Sequence, residues 1–145
     1  MEICTIGFTQ TTAQHFFERL SAAGVERLLD VRLNNSSQLA GFAKAKDLPY
    51  LLRELVGASY EHQPLLAPTQ ELLDAYKKRK GAWASYEVDF LALMERRRIH
   101  EVLNPEDFST RTALLCSEHT ADQCHRRLVC QFLAERWADV TARHL

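Results

Sequence analysis

The stretch 114-LLCSEHTADQCHRRLVCQFLAERW-137 decides the fold. An apolar run ends at Cys116, a polar loop follows, and apolar residues then recur at helical spacing through Leu128 and Phe132. That is a buried strand turning into an amphipathic helix. Thr120 and Gln123 have the spacing of a capping box, so the helix is expected to start at Ala121. Cys124 and His125 would then lie in or just past its first turn, where the helix dipole and the neighbouring arginines favour a thiolate. Steps of four from Cys124 through Leu128 to Phe132 put Cys124 on the apolar face, pointing toward the sheet edge and Cys116.

The same alternation extends upstream. "EICTIGF" reads as a short buried strand and "TTAQHFFERLSAAG" as a helix capped by Thr11 or Thr12 and stopped at Gly24. "VERLLDVR" is a second strand, and "KDLPYLLRELVGA" is a helix with Asp47 as its cap and Pro49 in its first turn. "SYEHQPLL" is extended. "TQELLDAYKKRKG" and "WASYEVDFLALMERRR" are helices, and "DVTARHL" suits an edge strand. Short apolar strands alternating with helices specify an α/β fold: a single domain over residues 1–145 with a mainly parallel sheet flanked by helices. Parallel strands deliver their carboxyl ends to one edge, where ligands bind. Gly7-Phe8-Thr9, Asp30-Val31-Arg32 and Cys116-Ser117-Glu118 are therefore expected to converge in one crevice.

Composition narrows the classes. A net charge of -1 gives no broad basic field for nucleic acid or anionic lipid. No apolar run reaches membrane-spanning length, and "MEICTIGFTQ" lacks the cationic start of a secretory leader. A cytoplasmic location follows, with Cys4, Cys116, Cys124 and Cys130 as reduced thiols.

Each candidate has a plain structural alternative. Cys4 and Cys130 read as core, whereas Cys116 and Cys124 flank a polar loop at the ligand edge. Cys116, His119, Cys124 and His125 offer metal donors, yet their spacing is not that of a zinc ribbon or finger, and adjacent side chains diverge on a helix, so no metal is expected. Cys116 has the strand-end position of a phosphatase or rhodanese nucleophile, but Arg126 is too distant for their compact loop, and the loop has no glycine to relax a nest. Asp30 and Arg32 share a strand face: either they pair, or Arg32 holds an anion beside an acid–base Asp30. "NNSSQ" from Asn34 to Gln38 offers short polar contacts, His62 reads as a satisfied histidine, and "KKRK" and "RRR" read as solvated helix ends. Trp83, Tyr86 and Phe90 read as core rather than a stacking platform.

Together, "TIGF", "LLDVR", the serine-containing loop before Phe42, "YEHQPLLAPT", Trp83 and Tyr86 in "WASYEVDF", "LLCSEHTADQCHRRLV" and the terminal "HL" resemble the domain-of-unknown-function family DUF488 over nearly the whole chain. The Cys-x7-Cys-His-Arg block is the most specific of these. The resemblance implies the α/β fold and points to Asp30, Arg32, Cys116, Glu118, Cys124, His125 and Arg126. It implies no particular substrate. The chain departs from its relatives at Phe8 and Thr9, where they often carry histidine and serine, and in lacking a proline after the arginine strand.

The sequence thus leads to an enzyme acting on a small anionic or nucleotide-like ligand in a Cys/His/Arg crevice. Cys124, or secondarily Cys116, would be the nucleophile, with His125 and Glu118 carrying or orienting protons. Arg32, Asp30, Arg126 and Thr9 would bind the substrate. The alternative is a non-catalytic nucleotide or nucleic-acid binding module, and no cofactor is named.

Overall fold

Among the described residues, the strands and α-helices follow in the order β1 (Glu2–Gly7), α1 (Ala13–Ala22), β2 (Arg27–Asp30), α2 (Leu48–Leu55), β3 (Ser59–His62), α3 (Gln70–Lys77), α4 (Trp83–Arg96), α5 (Ile99–Val102), β4 (Thr112–Cys116), α6 (His125–Ala134) and β5 (Thr141–His144). The structure is a computed structural model that describes residues 1–36, 41–118 and 121–145. The strands form one sheet in the order β3-β2-β4-β1-β5, and every neighbouring pair runs parallel. β5 is solvent-exposed along its length, as its polar sequence demands of an edge strand.

Side-chain alternation sorts the strands onto two cores. Cys4, Ile6, Leu28, Ala113 and Leu115 face α1 and α2. Ile3, Leu29, Leu114 and Cys116 face α4 and α6. β4 is buried at every position because both of its faces are covered, which is why it reads as continuous apolar sequence.

Capping follows side-chain chemistry where a polar oxygen is in place. Thr12 accepts from the His15 amide, and Thr69 does the same for Leu72. Asp47 precedes α2 but makes no side-chain cap bond. The largest departure concerns α6, which begins at His125 rather than Ala121, with Cys124 extended at its cap position (φ -136°, ψ 140°). The capping role expected of Thr120 lies outside the described residues. Residues 121–124 form turns instead of a helical turn.

The connections open the crevice. Chain leaving β2 turns toward β3, while chain leaving β4 crosses β1 to reach β5. The loops therefore part between the carboxyl ends of β2 and β4, the arrangement that leaves room for a ligand. No described helix is long and apolar enough to cross a membrane.

Candidate functional site

A cavity of about 210 Å³ lies at that parting, between Arg32, Leu33 and Asn34 after β2 and Cys116, Ser117 and Glu118 after β4. Its outer wall is aromatic. Trp83 stacks on Tyr86 with ring centres 5.2 Å apart, and Tyr76 contacts both rings at 5.5 and 5.1 Å. Tyr86 is buried, but Trp83 and Tyr76 are only partly covered, so this helix face is core at Phe90 and cavity wall at Trp83.

The floor is a cluster of thiols and imidazole. The Cys116 and Cys124 sulfurs and a ring nitrogen of His125 all lie within 4.8 Å of one another, and all three residues are buried. Cys116 Sγ is 3.4 Å from His125 Nδ1. His125 Nε2 is 2.7 Å from the Val31 carbonyl. A carbonyl can only accept, so Nε2 carries a hydrogen and donates it to Val31, which turns Nδ1 toward Cys116. The objection that adjacent Cys124 and His125 diverge on a helix does not hold, because Cys124 is extended and His125 is the first helical residue. The three side chains offer the donor set of a soft-metal site with an open position toward the cavity. His119 lies outside the described residues.

The two thiols are driven apart in acidity. Burial acts to raise Cys116, but a hydrogen bond from the Cys124 thiol, the Arg126 charge and the Glu118 and Ser117 amides outweigh it, and its pKa is lowered. Burial, and then the hydrogen bond to Cys116 and its negative charge, push Cys124 well above the ordinary thiol range. Cys130 is pushed up to about 12 by burial, and Cys4 is raised for the same principal reason. The amides beside Cys116 act as a small nest without a glycine in the loop. The needed room comes from β1. A Cβ on Gly7 would sit 1.6 Å from the Glu118 carbonyl oxygen and 2.7 Å from an Arg126 guanidinium nitrogen. Gly7 is the register partner of Cys116, so "TIGF" and "LLCSE" are two halves of one construction. Thr9 completes it: its amide and hydroxyl both donate to the Ser117 carbonyl, at 3.2 and 2.8 Å.

The arginines are engaged by protein groups. Arg126 donates to the Glu118 carbonyl at 2.6 Å from a fully buried position. Arg32 forms a two-pronged pair with Asp30, both bonds 2.9 Å, and also donates to the Ala43 carbonyl at 2.6 Å. Tyr60 donates to Asp30 at 2.6 Å, and the Arg32 guanidinium lies over the Phe8 ring. Of the two readings open for Asp30 and Arg32, the ion pair is the one formed. His62 bonds the Arg32 carbonyl at 2.9 Å and stands away from the thiols on β3. At the rim, Glu118 pairs with Lys77 at 2.7 Å, and Asn34 lines the cavity. Ser37 and Gln38 of the polar loop lie outside the described residues.

Sequence reasoning named every member of the thiol cluster and put Gly7 at the crevice, but it missed Tyr76 and read Lys77 as a solvated helix end. Gly7 had a signal, a glycine at a strand's carboxyl end, where close backbone approach is common. Tyr76 and Lys77 had none, since nothing local tells which helix folds over the crevice.

No curated protein and no solved structure matches the chain. A family profile does, over residues 12–133. That span takes in the Asp30–Arg32 strand end, the aromatic wall and the Cys116-to-Arg126 block, and with it the chain belongs to the family described as Domain of unknown function DUF488.

Proposed function

We propose that the chain is a thiol enzyme acting on a small planar, nucleotide-like molecule, with Cys116 as the nucleophile. The observation that carries this reading is the meeting of Cys116, Cys124 and His125 on the floor of an aromatic-walled cavity. A nucleophilic cysteine needs a partner that accepts its proton and donors that hold the resulting charge. His125 Nδ1 is the acceptor, and the Ser117 and Glu118 amides with the Cys124 thiol are the donors. Cys124 thus becomes the supporting thiol, reversing the order the helix-dipole argument suggested. A cavity of about 210 Å³ falls below the ~300–1,000 Å³ of drug-sized sites, so the ligand is small. Trp83, Tyr76 and Tyr86 supply faces on which a flat ring stacks. Arg32 and Arg126 position the walls, and Lys77, paired with Glu118 at the rim, lines the cavity where it would meet an anionic substituent.

Two measurements test this. Alkylation of the reduced chain at mildly acidic pH, read by peptide mass, should modify Cys116 before Cys4, Cys124 and Cys130. A panel of nucleobases, nucleosides and nucleotides should contain members that raise the thermal midpoint of the parent but not of Trp83→Ala. Equal, slow labelling of all four thiols together with no thermal response to the panel would sink the proposal.

A further inference from the structure

The geometry points to a modification site beyond this reading: we propose that Cys116 and Cys124 form an oxidisable dithiol, in which a small hydroperoxide entering the cavity oxidises Cys116 and Cys124 resolves it as an intramolecular disulfide. The two sulfurs already share a hydrogen bond and lie within 4.8 Å of the same imidazole nitrogen. They arrive from different directions, Cys116 at a strand end and Cys124 at the cap of α6, and both line the cavity. Rotation about the Cα–Cβ bonds brings such sulfurs to bonding distance without unfolding either element. Cys4 and Cys130 serve as internal controls, since both are buried and neither lines that cavity.

The chemistry balances with one named oxidant, a hydroperoxide. The Cys116 thiolate attacks the terminal peroxide oxygen. The O–O bond breaks, and the leaving oxygen takes a proton from solvent, giving an alcohol or water and a sulfenic acid on Cys116. Cys124 then attacks the Cys116 sulfur. The S–O bond breaks, and hydroxide leaves with the Cys124 proton as water, passed through His125 Nδ1. Two thiols are oxidised by two electrons, and one peroxide is reduced.

The test uses the full chain, reduced, treated with stoichiometric hydrogen peroxide and then alkylated. Trypsin leaves both cysteines on one peptide, residues 112–126. That peptide should lose two hydrogens and resist alkylation until reduced, and further cleavage after Glu118 should leave its halves linked. In Cys124→Ser, a dione probe should trap sulfenic acid at Cys116. In Cys116→Ser, residues 112–126 should gain no modification. Intermolecular disulfides, oxidation first at Cys4, Cys124 or Cys130, or thiols that alkylate unchanged after peroxide would each overturn the proposal. So would stoichiometric zinc in the purified chain that protects both thiols from peroxide. The parent result stands whether or not either variant folds. It is also distinguishable from the nucleotide-like ligand: a disulfide that forms in a chain with no thermal response to the panel upholds this proposal alone, and a thermal response in a chain whose thiols alkylate unchanged after peroxide overturns this proposal alone.

Discussion

Two buried polar clusters sit at the same edge of the sheet, one on each face. On the α1–α2 face, Asp30, Arg32, Tyr60 and the Ala43 carbonyl satisfy one another completely. On the α4–α6 face, Cys116, Cys124 and His125 bring two sulfurs and a ring nitrogen within 4.8 Å of one another and open onto a cavity. Opposite charges with full hydrogen bonding make a lock, because any change leaves a buried charge without its partner. Neighbouring thiols whose acidities are driven in opposite directions are the arrangement a reactive centre would use. Burial alone does not separate the two; complementarity does.

The comparison breaks most visibly at Arg32. Truncation to alanine strands the Asp30 carboxylate in the core and should cost roughly 3–5 kcal/mol in denaturant unfolding. A loss below ~1 kcal/mol would mean that the pair is not a lock. Gly7→Ala comes next. The new methyl meets the Glu118 backbone, so we expect a loss of about 1–3 kcal/mol together with slower Cys116 alkylation, as the amide nest is displaced. Unchanged Cys116 reactivity in a folded Gly7→Ala chain would separate the glycine from the site.

Tyr60→Phe removes one hydrogen bond to Asp30 and should cost about 1–2 kcal/mol, measured in the same way. The phenol is also a pH probe. Burial, then the Asp30 hydrogen bond, raises its pKa from 10.0 to about 12. Its contribution is therefore complete below the ordinary tyrosine pKa and is lost as pH rises from there toward about 12. The thermal midpoint of the parent should fall more steeply over that window than that of Tyr60→Phe, and parallel curves would contradict the assignment. The smallest stability effect belongs to Cys116→Ser, within about 1 kcal/mol of the parent, because the thiol is supported rather than supporting. A loss as large as that of Arg32→Ala would show the thiol cluster to be a second lock.

The fold was legible because each short apolar strand is followed by a punctuated helix, and parallel topology then forces the polar strand ends together. The Asp30–Arg32 question stayed open in the sequence, since a same-face pair does not reveal that Ala43 and Tyr60 close around it from distant segments. The helix-dipole argument for Cys124 rested on a start of α6 that the structure does not have. Thr120 and Gln123 have cap spacing, yet α6 starts at His125, so Cys124 feels its neighbour's charge and burial more than a dipole. The acidity of Cys116 depends on amides whose position is set by Gly7 and Thr9, roughly a hundred residues earlier.

The peptide between the two clusters has a consequence of its own. Arg32 anchors one side of it through Asp30, and the Val31 carbonyl holds His125 on the other. The Val31–Arg32 peptide thus joins the two clusters, its N–H held by Asp30 and its carbonyl by His125. A substitution at the lock that leaves stability intact would still be felt at His125 if it turns this peptide. Two clusters on opposite faces of the sheet therefore answer to one peptide plane.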